Sequence, residues 1–123
     1  MYSQLLWEHA RHPRNQRAMP DALVGTGRYQ RCGDKLSLYL RVDDEGRIRE
    51  ASFQARACAP VVAVASLWSQ EITGLSIDEA RELSILELDR KLGGLPPSKR
   101  HAYLIFLECL NRALTTQTNQ EKD

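Results

Sequence analysis

The feature that most constrains this 123-residue chain is a change of hydrophobic period at Cys58-Ala59-Pro60. Before it, Leu36, Leu38, Leu40 and Val42 alternate with Ser37, Tyr39 and Arg41, the two-residue period of a strand with one buried face. Asp43-Asp44-Glu45-Gly46 supplies a turn, and residues 47–57 return as a second strand with Ile48, Ala51, Phe53 and Ala55 apolar. The slip of phase between Ile48 and Ala51 predicts a bulge or an imperfect edge. After Pro60 the apolar residues recur at helical spacing to near the end of the chain. Strands first and helices afterwards predict an α+β domain rather than an alternating βαβ fold.

The helical segments carry their own punctuation. Residues 3–11 read as a short helix capped by Ser3 and stopped at His12-Pro13-Arg14-Asn15, because proline disfavours helix in the residue before it. Residues 17–27, with Pro20, Gly25 and Gly27, read as a loop leading into a short strand. Pro60 suits a first helical turn, and the helix over residues 61–73 is apolar on most faces, so it is expected to be buried and to end at Gly74. Ser76-Ile77-Asp78-Glu79 is a capping box opening a third helix to about Leu83, and residues 85–92 add another short helical turn. Gly93-Gly94-Leu95-Pro96-Pro97 breaks the pattern. Residues 98–114 then form the last helix, with Tyr103, Phe106, Leu107, Leu110 and Leu114 facing the core and a polar tail, 115–123, expected to fray. A chain of this length, without repeats or a long linker, is expected to make one domain spanning residues 1–123.

Several classes of function are disfavoured at once. A formal net charge of +1 gives no nucleic-acid footprint. No apolar run approaches the length of a membrane span, and the first residues do not resemble a signal peptide. Three cysteines, an odd number without disulfide-scaffold spacing, point to reduced thiols and a cytoplasmic setting.

The thiols therefore stand as candidates for chemistry or packing. Cys58, just ahead of the helix that Pro60 starts, faces unpaired N–H groups and the positive end of a helix dipole, both of which favour thiolate. A small buried hydrophobe is the other reading of the same residue. In Cys32-Gly33-Asp34, glycine lets the backbone turn so that thiol and carboxylate converge, although a solvated turn accounts for the same residues. His101 lies in the first turn of the last helix, off the core stripe, either as a ligand or as a solvent-facing side chain. Together Cys32, Asp34, Cys58 and His101 offer two sulfurs, one oxygen and one nitrogen, a set suited to one soft metal centre. Cys109 lies two helical turns beyond His101 on the flank of the core stripe and reads as packing. His9 and His12 lack an acidic or thiol partner and are not assigned.

In order along the chain, His12-Pro13-Arg14-Asn15, Cys32-Gly33-Asp34, Val42-Asp43-Asp44-Glu45-Gly46, Cys58 with Ala65-Ser66, and Leu95-Pro96-Pro97-Ser98-Lys99-Arg100-His101 resemble the NifU/IscU-type iron–sulfur cluster assembly scaffold family. The resemblance runs from Tyr2-Ser3 to about Leu114. It implies a small antiparallel three-stranded sheet packed against a bundle of helices, and no enzymatic activity of its own. It further implies that Cys32, Asp34, Cys58 and His101 bind a transient [2Fe–2S] cluster, or Zn²⁺ in the apo form, for transfer to client apoproteins. The family's third cysteine directly follows the histidine, and here that position is Ala102. The missing thiol commonly accepts sulfur from a cysteine desulfurase, the implied partner. This departure supports an alternative: a zinc-binding paralogue without assembly competence that regulates or adapts a desulfurase or client. Leu95-Pro96-Pro97-Ser98-Lys99 resembles the LPPVK segment read by a DnaK-type chaperone, with Ser98 in place of valine. A zinc hydrolase fits poorly, because all four candidate ligands are committed and no open position is left.

Overall fold

Three antiparallel strands in the order β1-β2-β3 form the sheet: β1 Leu23–Tyr29, β2 Asp34–Val42 and β3 Ile48–Arg56. The computed structural model describes residues 2–122, with side chains through Thr115. β1 is a full strand that begins within the segment read as loop; Gly25 and Gly27 belong to it rather than to a turn. The expected bulge is present. Leu40 pairs with Ala51 and Arg41 with Glu50, but Val42 pairs with Ile48, so Arg49 is the extra residue.

Among the described residues five α-helices complete the fold: α1 Gln4–Arg11, α2 Ala59–Glu71, α3 Ile77–Arg81, α4 Ile85–Leu92 and α5 His101–Lys122, with a 3-10 turn at Pro97–Lys99 before α5. Ser3 caps α1 by accepting the Leu6 N–H, and Ser76 opens α3 with the reciprocal bonds to Glu79 that its sequence announced. Ser84 and Glu87 form a second capping box, and Gly93 closes α4 at φ 92°, a left-handed position suited to glycine. α5 begins at His101 rather than at residue 98, because the prolines force the tighter turn first. It also continues past Leu114 to Lys122, where the sequence reading places a frayed tail; Asp123 lies outside the described residues.

The core lies between one sheet face and the helices. Leu36, Leu38, Leu40 and Phe53 from the sheet meet Val61, Val64 and Ala65 of α2 and Tyr103, Phe106 and Leu110 of α5, most of them fully buried. Removing that much apolar area from water, at roughly 25 cal/mol per Å², is the main stabilising contribution. α5 lies against β1 at unusually short range. A Cβ added at Gly25 would stand 1.8 Å from the Cys109 carbonyl oxygen and 2.7 Å from the Ala113 nitrogen, so the strand has no room for a side chain there.

The His12-Pro13-Arg14-Asn15 segment docks on α2 through polar contacts. The Arg14 N–H donates to Ser66 Oγ at 2.8 Å, and Asn15 Nδ2 donates to Ser69 Oγ at 3.1 Å. Asn15 adopts φ 63°, which asparagine tolerates, and its carbonyl accepts the Phe53 N–H. Buried His9 shares a 2.7 Å hydrogen bond between Nδ1 and Ser66 Oγ. Desolvation holds its pKa below the ordinary histidine value, which fits a structural imidazole.

Candidate metal centre

Three ends of secondary structure meet at one edge of the domain: the β1–β2 hairpin loop, the start of α2 and the start of α5. In the loop, the Cys32 N–H donates to the Tyr29 carbonyl and the Gly33 N–H to the Gln30 carbonyl. Gly33 adopts φ 70° with open space around it, so the expected turn forms and Asp34 enters β2 opposite Tyr29. Exposed Cys32 and buried Asp34 and His101 can bring ligand atoms within 4.8 Å of one another.

Cys58 stands beside this trio rather than within it. It is the N-cap residue of α2, and its N–H donates to Asp34 Oδ1 at 2.9 Å. Its thiol donates to Asp34 Oδ2 at 3.4 Å, the same oxygen that lies 3.1 Å from His101 Nε2. One carboxylate thus ties the hairpin to both helices. A fourth ligand from Cys58 requires its thiol to give up both a proton and its bond to Asp34.

The electrostatics correct one expectation. The helix start does act on Cys58, through the Val61 N–H, but burial and the adjacent Asp34 charge outweigh it and raise the thiol pKa above its ordinary value. Cys58 is therefore a thiol at neutral pH until something displaces its proton. Cys109 is also a thiol, with desolvation pushing its pKa to about 12, and it donates to the Leu36 carbonyl at 3.2 Å inside the core. Its reading as packing holds. Iodoacetamide added to the folded protein is expected to label exposed Cys32 first, Cys58 roughly tenfold more slowly, and Cys109 only on unfolding. Peptide mass spectrometry over time checks the order, and labelling of Cys58 ahead of Cys32 would contradict it.

His101 is not the solvent-facing side chain that the bland reading allowed. The Tyr29 ring stacks on it, with centroids 4.1 Å apart and planes at 16°. Its Nδ1 is buried without a hydrogen-bond partner. Sequence reasoning passed over Tyr29, whose only signal was an aromatic residue three positions before Cys32. A thiol, a carboxylate and an imidazole with an unsatisfied buried nitrogen form a donor set that fits a soft or borderline cation.

A family profile described as NifU-like N terminal domain matches residues 1–123. The chain belongs to that family. Among its NifU-like relatives, Iron-sulfur cluster assembly scaffold protein IscU 1 of Archaeoglobus fulgidus is 35% identical over 115 residues, covering 93% of this chain and 74% of that protein. Iron-sulfur cluster assembly scaffold protein IscU of Escherichia coli K12 is 32% identical over 117 residues, covering 92% and 91%. The crystal structure of FiSufU from Fervidobacterium Islandicum AW-1 superposes with a TM-score of 0.74, covering 92% of this chain and 96% of that one. At 22% identity that likeness establishes a shared fold, and the expected α+β sheet-and-helix architecture is the one observed.

Two further positions of this NifU-like chain take definite form. Ala102, beside His101, is fully buried. In the Leu95-Pro96-Pro97-Ser98-Lys99 segment, Leu95 anchors in the core while Pro97 and Ser98 are exposed. Among the described residues no helix is long and apolar enough to cross a membrane.

Proposed function

We propose that this protein is an iron–sulfur cluster assembly scaffold or carrier that takes a transient [2Fe–2S] cluster as cargo on Cys32, Asp34, Cys58 and His101 and passes it to apoproteins. The observation that carries the reading is the convergence of thiol, carboxylate and imidazole from the hairpin and α5 within 4.8 Å, with the Cys58 thiol bonded to the same carboxylate. Family membership and relatives named as scaffold proteins support it.

Within the site Asp34 accepts from the Cys58 N–H and thiol and contacts His101. Loading must exchange those bonds for bonds to the cargo and expel the thiol protons, so uptake is linked to pH and favoured as pH rises. Release runs the other way. A protonated Cys58 returns to Asp34, and the protein recovers its own hydrogen bonds, which limits the net affinity for cargo. A neutral imidazole in place of a thiolate also reduces the negative charge around a cluster and raises its potential. A cysteine desulfurase as sulfur donor and a DnaK-type chaperone acting at Leu95-Pro96-Pro97-Ser98-Lys99 are the partners this role calls for.

Anaerobic reconstitution with ferrous iron and sulfide tests the reading. The expected product is brown, with charge-transfer bands in the visible and iron and sulfide in equal amounts. Colourless protein without iron or sulfide would refute it. Ala102 favours a second reading, a zinc-holding adaptor of a desulfurase or client. Stoichiometric zinc that iron and sulfide cannot displace would select it.

A further inference from the structure

The solvent face of the sheet holds a row of three positive charges beside the site. Arg28 pairs directly with Lys35 across β1 and β2, and Lys35 pairs directly with Arg56 across β2 and β3. All three side chains are exposed, and among the described residues none makes an ion pair. With strands about 4.8 Å apart, the row spans roughly 10 Å. Like charges placed directly opposite one another destabilise a sheet.

The rest of the same face is arranged differently. At its far end Arg41 sits opposite Glu50 with a 3.2 Å ion pair, and Arg17 adds a second contact to Glu50 at 3.4 Å. Between the two ends, Thr26 bonds Ser37 at 3.0 Å and Tyr39 Oη donates to Gln54 Oε1 at 2.9 Å. Among the charged side chains of this face in the described residues, those of the row next to the candidate centre make no ion pair. A cavity of about 420 Å³ is lined by Arg28, Lys35 and Arg56 together with Tyr29 and Asp34, so the row and the site share a wall. A shallower trough continues from Lys35 and Arg56 over Ser37 and Gln54.

We infer that this row is a docking surface for an acidic segment of a partner protein, which it steers to the edge of the donor cluster. The three cations are exposed at a rim, without buried polar groups of their own to enclose a small anion. That arrangement suits a complementary protein surface, where exposed charges contribute orientation and association rate more than affinity. Asp34, the carboxylate that lines the same cavity, does not neutralise the row, because it is buried and bonded to Cys58 and His101. The inference stands whether or not the neighbouring donors hold a cluster.

The test uses the full chain without metal and a fluorescent hexaglutamate peptide as probe. Saturable binding that weakens with added salt is expected, with amide shifts in NMR concentrated at Arg28, Lys35 and Arg56. The double variant Lys35→Gln/Arg56→Gln should weaken the peptide roughly fivefold, while Lys35→Arg/Arg56→Lys should keep it. The neutralised variant should also melt about 1–4 °C higher, since it relieves like-charge repulsion. Equal peptide affinity in the neutralised variant, a lower melting temperature, or inorganic phosphate competing as strongly as hexaglutamate would each overturn the assignment. None of these outcomes bears on cluster reconstitution, which is measured separately.

Discussion

Cys58→Ser is expected to abolish cluster loading, leaving a tenth or less of the iron, sulfide and visible absorption of the wild-type protein after the same reconstitution. The substitution is nearly isosteric. A serine keeps the N–H bond to Asp34 Oδ1 and can donate its hydroxyl to Oδ2, so the apo fold should survive with unchanged circular dichroism. What is lost is a proton that can leave: even the raised thiol pKa of Cys58 lies far below that of an alcohol, and a soft thiolate is replaced by a hard oxygen. Cys109→Ser supplies the control, because that thiol lies in the core, bonded to the Leu36 carbonyl, and should leave loading unchanged. If Cys58→Ser loads as well as wild type, the trio of Cys32, Asp34 and His101 suffices and Cys58 is removed from the ligand set.

The largest expected loss of stability comes from a single added methyl. Gly25→Ala should lower the unfolding free energy by at least about 3 kcal/mol, the upper end of typical overpacking costs. The atoms in the way are the Cys109 carbonyl oxygen at 1.8 Å and the Ala113 nitrogen at 2.7 Å, both main chain, so no side chain can rotate aside. Gly27→Ala should cost less, about 1 kcal/mol, since its nearest neighbours, Cys109 Sγ and the Ile105 carbonyl oxygen, lie at 3.1 Å. Urea unfolding with unchanged slope and a lower midpoint measures both effects. A Gly25→Ala midpoint equal to wild type would mean that α5 does not rest on β1.

Those glycines also mark where the sequence was hard to read. Alternation in β2 and β3, the caps at Ser3 and Ser76, and the break at Gly93 were visible because each depends on neighbours within a few residues. β1 was legible only as a short strand after a loop, since Gly25 and Gly27 erase the apolar alternation and take their reason from α5, far along the chain. The candidate site divides in the same way. The turn at Gly33 and the position of Cys58 ahead of Pro60 were local and legible. The raised Cys58 pKa, the burial of His101 and the stack of Tyr29 on its ring depend on Asp34 and three chain segments meeting, which no spacing encodes.

The close seating of α5 on β1 has an inheritable consequence. Because two main chains touch at Gly25, the strand that leads into the hairpin and the helix that begins at His101 are spaced by peptide geometry as well as by core side chains. Interior residues can then be exchanged while that spacing is kept. A chain only 22% identical to a structure that it overlays at a TM-score of 0.74 shares that fold with most of its residues exchanged.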